Sequence, residues 1–254
     1  MGVLILAFFS IICSLGKHLI FAQDTRAQVY LDKVLYFATR EGSAYSDSVI
    51  HYLCLAQEAG SSDALYLLGV SYLRGVKVKK NIPQGLALLQ KSASANHKMA
   101  IELLLAFYQD SSNGVYFSSE KAKKYAEIGI TLKSAPSYFF LGKYYYQKNL
   151  DSLALYYMRY AADSLVYPKA QLFLANWCRS PKNKRKAPDL STALKYYRLV
   201  IQNPSSTLEE KSDAQVGIYY SLQLVRFLYN LQMQLFFPRP DIAPQLESEN
   251  IIWR

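Results

Sequence analysis

Residues 64–72 read Ala-Leu-Tyr-Leu-Leu-Gly-Val-Ser-Tyr, and three later stretches of the chain repeat this pattern. The copies are AIELLLAFY (100–108), SYFFLGKYY (137–145) and AQLFLANWC (170–178), so successive copies start 36, 37 and 33 residues apart. Each copy opens with a small residue; Gly or Ala follows five positions on in three of the four, and Tyr eight positions on in three. Periods of this length are typical of solenoids built from helix pairs.

A second apolar stretch follows each copy after a polar loop. In three cases the loop ends with a residue whose side chain can cap a helix, namely Asn81, Ser118 and Asp189, four residues before Gly85, Ala122 and Ala193. A side-chain oxygen at that position accepts a hydrogen bond from a backbone N–H that otherwise lacks a partner. The spacing therefore predicts a second amphipathic helix in each repeat.

Small residues and tyrosines at equivalent positions are expected to hold the repeats together. Small side chains let helix axes approach closely, and the tyrosine fills the space one turn further along the same face. The predicted structural residues are Ala64, Gly69, Tyr72, Gly75, Asn81, Ala100, Tyr108, Gly142, Tyr145, Ala170 and Ala175.

The chain resembles the Sel-1-like repeat family, whose members are relatives of the tetratricopeptide repeat. The unit from Ala64 to Ala100 carries most of the family pattern, with Gly85 where the family usually has alanine. The resemblance covers roughly residues 61–203. It implies an all-α, right-handed α-solenoid of stacked antiparallel helix pairs that binds other proteins and has no common catalytic centre. Members with signal peptides are commonly bacterial envelope or secreted proteins, and an endoplasmic-reticulum adaptor is the eukaryotic counterpart.

These patterns predict five segments. They are a signal peptide or amino-terminal anchor (1–22), an amino-terminal helix pair (23–60), the Sel-1-like repeats (61–203), a carboxy-terminal capping helix (204–237) and a proline-containing tail (238–254). A capping helix is expected because the last repeat otherwise exposes its stacking face. Its predicted apolar stripe comprises Tyr219, Tyr220, Leu222, Leu224, Phe227, Leu228, Leu231 and Phe236.

The first segment indicates export. The apolar run from Val3 to Leu15 is too short to span a bilayer and is typical of a signal-peptide core, with a cleavage point after Ala22. An uncleaved anchor and a buried first helix of a cytosolic protein are the alternatives. The expected location is the periplasm, the cell envelope or the medium, or, in a eukaryote, the endoplasmic reticulum or the medium.

Catalytic chemistry has little support in the sequence. After removal of residues 1–22, only His51, His97, Cys54 and Cys178 remain of the histidines and cysteines, and none has the spacing of a metal site or a nucleophile motif. Two buried apolar thiols are expected, rather than a disulfide or a reactive cysteine. No cofactor is predicted. An envelope enzyme, or a thiol-active protein that uses one of these cysteines, remains the alternative to a non-catalytic protein.

The 254-residue chain is basic, with a formal net charge of +10, and its cations concentrate in two loops. Equivalent loops of a solenoid project from one edge, so these loops are predicted to form a basic rim that contacts an anionic partner. The rim residues are Arg74, Lys77, Lys79 and Lys80 in the first loop and Arg179, Lys182, Lys184, Arg185 and Lys186 in the second. A solvated loop that serves solubility is the simpler interpretation. The predicted export signal disfavours nucleic acid as the anionic partner.

The function predicted from the sequence is that of an exported repeat scaffold or adaptor. It would bind an unidentified protein partner through its concave helix face and its basic loops, in a bacterial envelope or host-interaction context or, alternatively, in a eukaryotic secretory pathway. No transmembrane span is expected beyond an amino-terminal anchor.

Overall fold

The computed structural model describes residues 25–38, 43–180 and 187–236, and all regular structure within these ranges is helical. The chain divides into two compact units, Met1–Tyr144 and Tyr145–Arg254. The helices are α1 (25–38), α2 (Ser43–Glu58), α3 (Ser62–Arg74), α4 (Ile82–Ser94), α5 (Lys98–Gln109), α6 (Ser119–Thr131), α7 (Ala135–Gln147), α8 (Asp151–Arg159), α9 (Pro168–Arg179), α10 (Leu190–Gln202) and α11 (Leu208–Phe236). A 3₁₀ turn (Ser111–Tyr116) precedes α6, and a π-helical turn (Tyr160–Ser164) continues α8.

In the first unit each helix packs against the next along the chain, from α2 through α6. The turns that join one pair to the next are short, so neighbouring helices run antiparallel. Asn96 and Lys133 occupy these turns with φ of 59° and 51°, in the left-handed region that ends many helices. Buried side chains from successive helices form a continuous core, and they include Leu53, Leu68, Leu89, Leu104 and Leu141.

Two glycines let α3 and α4 approach until their backbones nearly touch. A Cβ at Gly85 would lie 2.9 Å from the backbone oxygen of Gly69 and 3.0 Å from the backbone nitrogen of Leu73. A Cβ at Gly69 would lie 2.7 Å from Cγ of the buried Leu89. The α3–α4 pair therefore depends on the absence of a side chain at both positions.

The three predicted helix caps are confirmed. Asn81 Oδ1 accepts from the backbone N–H of Gln84 at 3.2 Å, and Ser118 Oγ accepts from Lys121 at 3.3 Å. Asp189 Oδ1 accepts from Thr192 at 3.0 Å. Each cap opens the second helix of a repeat, so these loop-terminal residues mark where α4, α6 and α10 begin.

The second unit contains α8, α9, α10 and α11. Helix α9 packs against α8, α10 and α11, and α10 packs against α11. The large buried side chains include Met158, Leu174, Tyr197 and Val200. Gly217 of α11 faces the ring of Tyr197, and a Cβ at this glycine would lie 2.2 Å from Cζ of that ring.

The small residues predicted to hold the repeats together are buried. Ala64, Ala100, Ala170 and Ala175 have no exposed surface, and Gly69 and Gly142 are also buried. Tyr108 is 2% exposed, whereas Tyr72 and Tyr145 are partly buried. Gly75 and Asn81 are exposed because they lie in the loop between α3 and α4, where Gly75 ends α3 with a φ of 73°.

The prediction for the terminal helix is only partly right. Helix α11 forms where expected, but it packs through Ala214, Gly217 and Ser221, all of which are buried. Most of the predicted stripe is exposed, including Tyr219 at 59% and Phe227 at 61%. Tyr197 fills the space beside Gly217, so no larger side chain fits at that position, and most of the large apolar side chains lie on other faces. The predicted signal segment (1–22) and tail (238–254) lie outside the described residues.

Candidate functional site

The first helices of the repeats carry aliphatic or aromatic side chains at two positions beside their buried stripe, with Ser71 as the exception. The buried positions are the opening small residue and the residue four further on, as in Ala170 and Leu174. The third and seventh positions after the opening residue lie on an adjacent face of the helix. They hold Leu67 and Ser71 in α3, Leu103 and Phe107 in α5, Phe140 and Tyr144 in α7, and Phe173 and Trp177 in α9.

In the second unit, Phe173 and Trp177 at these positions form an aromatic cluster with Tyr146, which lies nine residues after the opening Ser137 of its own copy. The ring centroid of Tyr146 lies 5.3 Å from that of Phe173 and 5.0 Å from that of Trp177, both in edge-to-face arrangements. The Phe173 and Trp177 centroids are 5.9 Å apart. All three side chains are partly buried, so the cluster is held in place by its own contacts and still reaches solvent.

The first unit carries two aromatic pairs that include residues of these positions. Phe140 and Tyr144 of α7 stack with ring centroids 6.4 Å apart, and the ammonium of Lys123 lies 5.4 Å from the Tyr144 ring centroid. In α5, the ring centroid of Phe107 lies 5.9 Å from that of Tyr116 in the following 3₁₀ turn. The pair on α7 therefore combines aromatic rings with a cation.

Other tyrosines serve packing, as the sequence predicted. Tyr108 stacks on Tyr125 with centroids 5.7 Å apart, and Tyr145 stacks on Tyr157 at 5.5 Å, which joins the first helix of a repeat to the second. In the last repeat, the Tyr196 hydroxyl donates to the Asp163 carboxylate at 3.0 Å. Burial together with this bond raises the pKa of Tyr196 to about 12, so the phenol stays protonated at physiological pH.

The first basic loop lies between α3 and α4. Arg74, Lys77, Lys79 and Lys80 are all exposed, and within the described ranges none of them forms an ion pair with a carboxylate. The loop has a defined path, since Gly75 donates to the Ser71 carbonyl at 2.8 Å and the Asn81 N–H donates to the Tyr72 carbonyl at 2.9 Å. It therefore presents four solvated cations on a fixed backbone.

The structure describes only one of the five basic residues predicted for the second loop, Arg179. Arg179 is partly buried, and its Nε donates to the Tyr197 hydroxyl at 3.0 Å, so this cation contributes to packing within the repeat. Lys182, Lys184, Arg185 and Lys186 lie outside the described residues. A single basic rim made from both loops stays a prediction.

We predict that the loop between α3 and α4 binds polyanions. Replacing Lys77, Lys79 and Lys80 with glutamine should weaken retention on a sulfated polysaccharide about tenfold, because each exposed ion pair contributes about 0.5 kcal/mol. The affinity should also become less sensitive to salt. The matched control neutralises the exposed Lys91, Lys121 and Lys124, which leaves the same net charge. Equal losses in the two variants would show that only net charge matters.

The surroundings of the two thiols do not favour a reactive cysteine. The prediction that Cys54 is buried is wrong, since its side chain is exposed, whereas Cys178 is partly buried, and both are free. The buried face of α2 runs through Val49, Leu53 and Ala56, and Cys54 falls just off that face. Partial desolvation of the sulfur raises the pKa of both thiols, although the Cys54 side chain as a whole is exposed. The Glu58 carboxylate raises the pKa of Cys54 further and the Asp189 carboxylate that of Cys178, which disfavours the nucleophilic thiolate.

One of the two described histidines caps a helix, and the other lies on the surface. His97 Nδ1 accepts from the backbone N–H of Ala100 at 3.2 Å and so caps α5. Its Nε2 lies 2.8 Å from Asp63 Oδ1, which fits a neutral ring that donates to the carboxylate. His51 is exposed on α2. In the described part of the chain, no three histidine, cysteine or acidic side chains come together as a group suited to a metal ion.

The same described residues contain no helix that is long and apolar enough to span a membrane.

Two solved structures share the fold. The chain is similar to a Sel1 repeat protein from Oxalobacter formigenes, with 16% identity over 80% of this chain and 88% of that one and a TM-score of 0.60. It is also similar to a protective antigen of uropathogenic Escherichia coli that displays an SLR fold, with 16% identity over 89% of this chain and 58% of that one and a TM-score of 0.51. No protein-family model matches the sequence, and no curated protein matches it. The predicted all-α repeat fold is confirmed.

Proposed function

We propose that this solenoid with the Sel1-like repeat fold is an exported, non-catalytic adaptor that binds a protein partner. Repeat scaffolds of this kind present an extended surface rather than a closed pocket, and the two similar structures support that general role. The observation that carries the proposal is the aromatic cluster of Tyr146, Phe173 and Trp177. The apolar run from Val3 to Leu15 is the support for export.

The aromatic cluster has the properties of an interface anchor. Tryptophan and tyrosine are enriched among the residues that contribute most to binding, because a rigid ring offers a large contact area at a small entropic cost. The three rings fix one another at centroid distances of 5.0–5.9 Å, so little order has to be gained on binding. Neither thiol has a lowered pKa, which leaves the thiol-active alternative without support.

The expected result is the loss of a protein partner when the cluster is removed. Affinity-tagged full chain should be expressed in its native host, cross-linked and analysed by mass spectrometry, with Phe173→Ala/Trp177→Ala beside the unmodified chain. Recovery of the main partner should fall at least ~30-fold, which corresponds to an anchor worth about 2 kcal/mol.

The matched control is Tyr156→Ala, which removes an exposed aromatic side chain from α8, outside the cluster. Circular dichroism establishes that all variants are folded. Equal recovery of the partner by the cluster variant and the control would contradict the proposed surface. The mature amino terminus and the cell fraction test export in the same sample: a start near Gln23 supports it, and an intact Met1 in the cytosol contradicts it.

A further inference from the structure

Two loops of the first unit leave the same end of their helices. Helices α3 and α5 point the same way because α4, antiparallel to both, lies between them, so the loops that follow them share an edge. The same backbone hydrogen bond closes both loops: the Asn81 N–H donates to the Tyr72 carbonyl and the Ser118 N–H to the Tyr108 carbonyl, each at 2.9 Å. Residues 74–80 and 110–117 therefore form one loop edge, with the two loops roughly 20 Å apart for helix axes spaced by about 8–10 Å.

Large apolar side chains occupy exposed positions in both loops of the loop edge. Val115 is 94% exposed, a larger fraction than any other large apolar side chain of the described residues. Val76 is 50% exposed and Phe117 is 48% exposed. A loop that serves solubility alone is expected to carry polar side chains at such positions. The solubility interpretation of the basic loop therefore leaves these three residues unexplained.

Four cations surround the apolar side chain of the first loop. The segment from 74 to 80 reads Arg-Gly-Val-Lys-Val-Lys-Lys, and within the described ranges none of its cations forms an ion pair with a carboxylate. The second loop contains one carboxylate, that of Asp110, which accepts from the Ser112 N–H at 2.9 Å and so stabilises the turn of its own loop. The loop edge therefore carries four cations, one carboxylate and three exposed apolar side chains.

A membrane surface with anionic headgroups matches both features of the loop edge. Apolar side chains enter the boundary between headgroups and acyl chains to a depth of roughly 5–10 Å. Lysine side chains lay their stems along apolar surface and keep the ammonium at the level of the phosphates. A cluster of four basic residues is large enough to bind anionic lipid. A membrane is also continuous over the distance between the two loops, so both loops reach it together.

Other anionic partners match only one of these features. A sulfated or acidic glycan offers negative charge, but it has no apolar layer to receive Val115 and Phe117. Protein interfaces bury apolar side chains, but lysine is depleted in them, and three of the four cations are lysines. The combination of exposed apolar side chains with unpaired lysines therefore favours lipid.

We propose that the loop edge is a peripheral membrane-binding surface. Val76, Val115 and Phe117 enter the outer layer of the bilayer, and the cations of the first loop bind the headgroups of anionic phospholipids. The proposal goes beyond the adaptor function and does not depend on it, because the aromatic cluster belongs to the second unit. It also assigns phospholipid as the anionic partner of the first basic loop.

Flotation of the full chain with lipid vesicles tests the role of charge. Vesicles made from equal parts of phosphatidylglycerol and phosphatidylcholine should bind the chain at least ~100-fold more tightly than vesicles of phosphatidylcholine alone, because each cation near an anionic surface contributes about fivefold. Equal binding to the two kinds of vesicle would overturn the proposal.

The same assay tests the apolar side chains. Val76→Ser/Val115→Ser/Phe117→Ser should weaken binding to the anionic vesicles at least ~30-fold, or about threefold for each half-inserted side chain. The apolar run from Val3 to Leu15 is the same in every variant, so differences between variants report on the loop edge. The control Met99→Ser/Val166→Ser removes two exposed apolar side chains at turns between repeats and should bind like the unmodified chain. Equal affinities of the loop-edge variant and the control would contradict insertion.

Retention on a sulfated polysaccharide distinguishes lipid from glycan. Val76→Ser/Val115→Ser/Phe117→Ser keeps all four cations, so its retention should equal that of the unmodified chain. A parallel loss of polysaccharide and vesicle binding would overturn the proposal. If this variant instead loses its cross-linked protein partner while its vesicle binding persists, the loops bind protein and the proposal is wrong.

A fluorescent label reports insertion directly, even where residues 1–22 already hold the chain on the membrane. In a full chain whose Cys13, Cys54 and Cys178 are replaced by serine, an environment-sensitive dye on Val115→Cys should shift to shorter wavelength with the anionic vesicles. The same dye on Ala95→Cys, in the exposed turn at the opposite edge between α4 and α5, should not shift. Equal shifts at the two positions, or none at either, would overturn the assignment of the loop edge.

Discussion

Gly217→Ala is expected to lower the free energy of unfolding of the second unit by about 3 kcal/mol, at the upper end of the usual cost of overpacking. The added Cβ would lie 2.2 Å from Cζ, 2.3 Å from Cε1 and 2.7 Å from the hydroxyl of Tyr197. These distances are far below van der Waals contact. Either the ring of Tyr197 or the whole of α11 must move.

Tyr197 has little freedom to give way. Its side chain has no exposed surface, and its hydroxyl donates to Asn176 Oδ1 at 2.6 Å while it accepts from Arg179 Nε at 3.0 Å. Displacing the ring would break both of these partly buried hydrogen bonds, at a cost of about 1 kcal/mol for each. Moving α11 instead would expose Ala214 and Ser221.

Thermal unfolding followed by circular dichroism measures this effect. A loss of about 3 kcal/mol corresponds to a fall in Tm of roughly 6–12 °C for a chain of this size. Gln215→Ala is the control, because it makes α11 more helix-prone at an exposed position without touching Tyr197. Tyr197→Leu should rescue part of the loss in the double variant, since it removes the atoms that the new Cβ meets. Strictly additive effects, or an unchanged Tm for Gly217→Ala, would contradict this packing.

The repeat register and the helix starts were predictable because they depend on local chemistry. Asn81, Ser118 and Asp189 cap helices wherever a free N–H lies within reach, so the sequence places the start of α4, α6 and α10 correctly. Small residues at a fixed period likewise indicate where two helices come into close contact. Ala64, Ala100 and Ala170 are fully buried, as their periodicity indicated.

The faces of the helices were harder to predict, because they depend on neighbours that are distant in sequence. The apolar stripe of α11 suggested a cap, yet Tyr197 of the preceding helix leaves no room for a side chain at Gly217, and α11 buries Ala214, Gly217 and Ser221 instead of the stripe. Cys54 lies one residue from the buried Leu53, and composition alone does not place it outside the core.

The candidate site was only partly predictable for the same reason. The sequence indicated a helix face as the binding surface, but the contact between Tyr146 of α7 and Trp177 of α9 follows from helix packing. The row at the third and seventh repeat positions is present in the sequence once the register is known. The contact of Phe173 and Trp177 with Tyr146, which lies outside that row, is a property of the fold.

Gly85→Ala is expected to destabilise the first unit by about 2 kcal/mol, although alanine is the better helix former by about 1 kcal/mol. The Sel-1-like resemblance gives this position as alanine, so similarity alone would predict a gain in stability. The contacts predict a loss, because the Cβ would lie 2.9 Å from the Gly69 oxygen and 3.0 Å from the Leu73 nitrogen.

The obstacle at Gly85 differs in kind from the one at Gly217. Two of the three close atoms belong to the backbone of α3, and the third is Cγ of Leu73 at 2.9 Å. A backbone atom inside a helix has no alternative rotamer, so the substitution must separate α3 from α4 along their length. The separation would loosen the contact of the buried Leu89 with α3 at Gly69.

Urea unfolding of Gly85→Ala, Ala87→Gly and Leu73→Ala/Gly85→Ala separates these contributions. Ala87 is exposed on the same helix, so Ala87→Gly measures the difference in helix propensity alone. The stability lost in Ala87→Gly, added to the stability lost in Gly85→Ala, gives the full packing cost of the new Cβ. Removing the Leu73 side chain should rescue little, because the backbone contacts remain, whereas Tyr197→Leu should rescue Gly217→Ala substantially. A stabilised Gly85→Ala variant would contradict the predicted backbone contact. Full rescue by Leu73→Ala would show that side-chain packing rather than backbone approach limits this position.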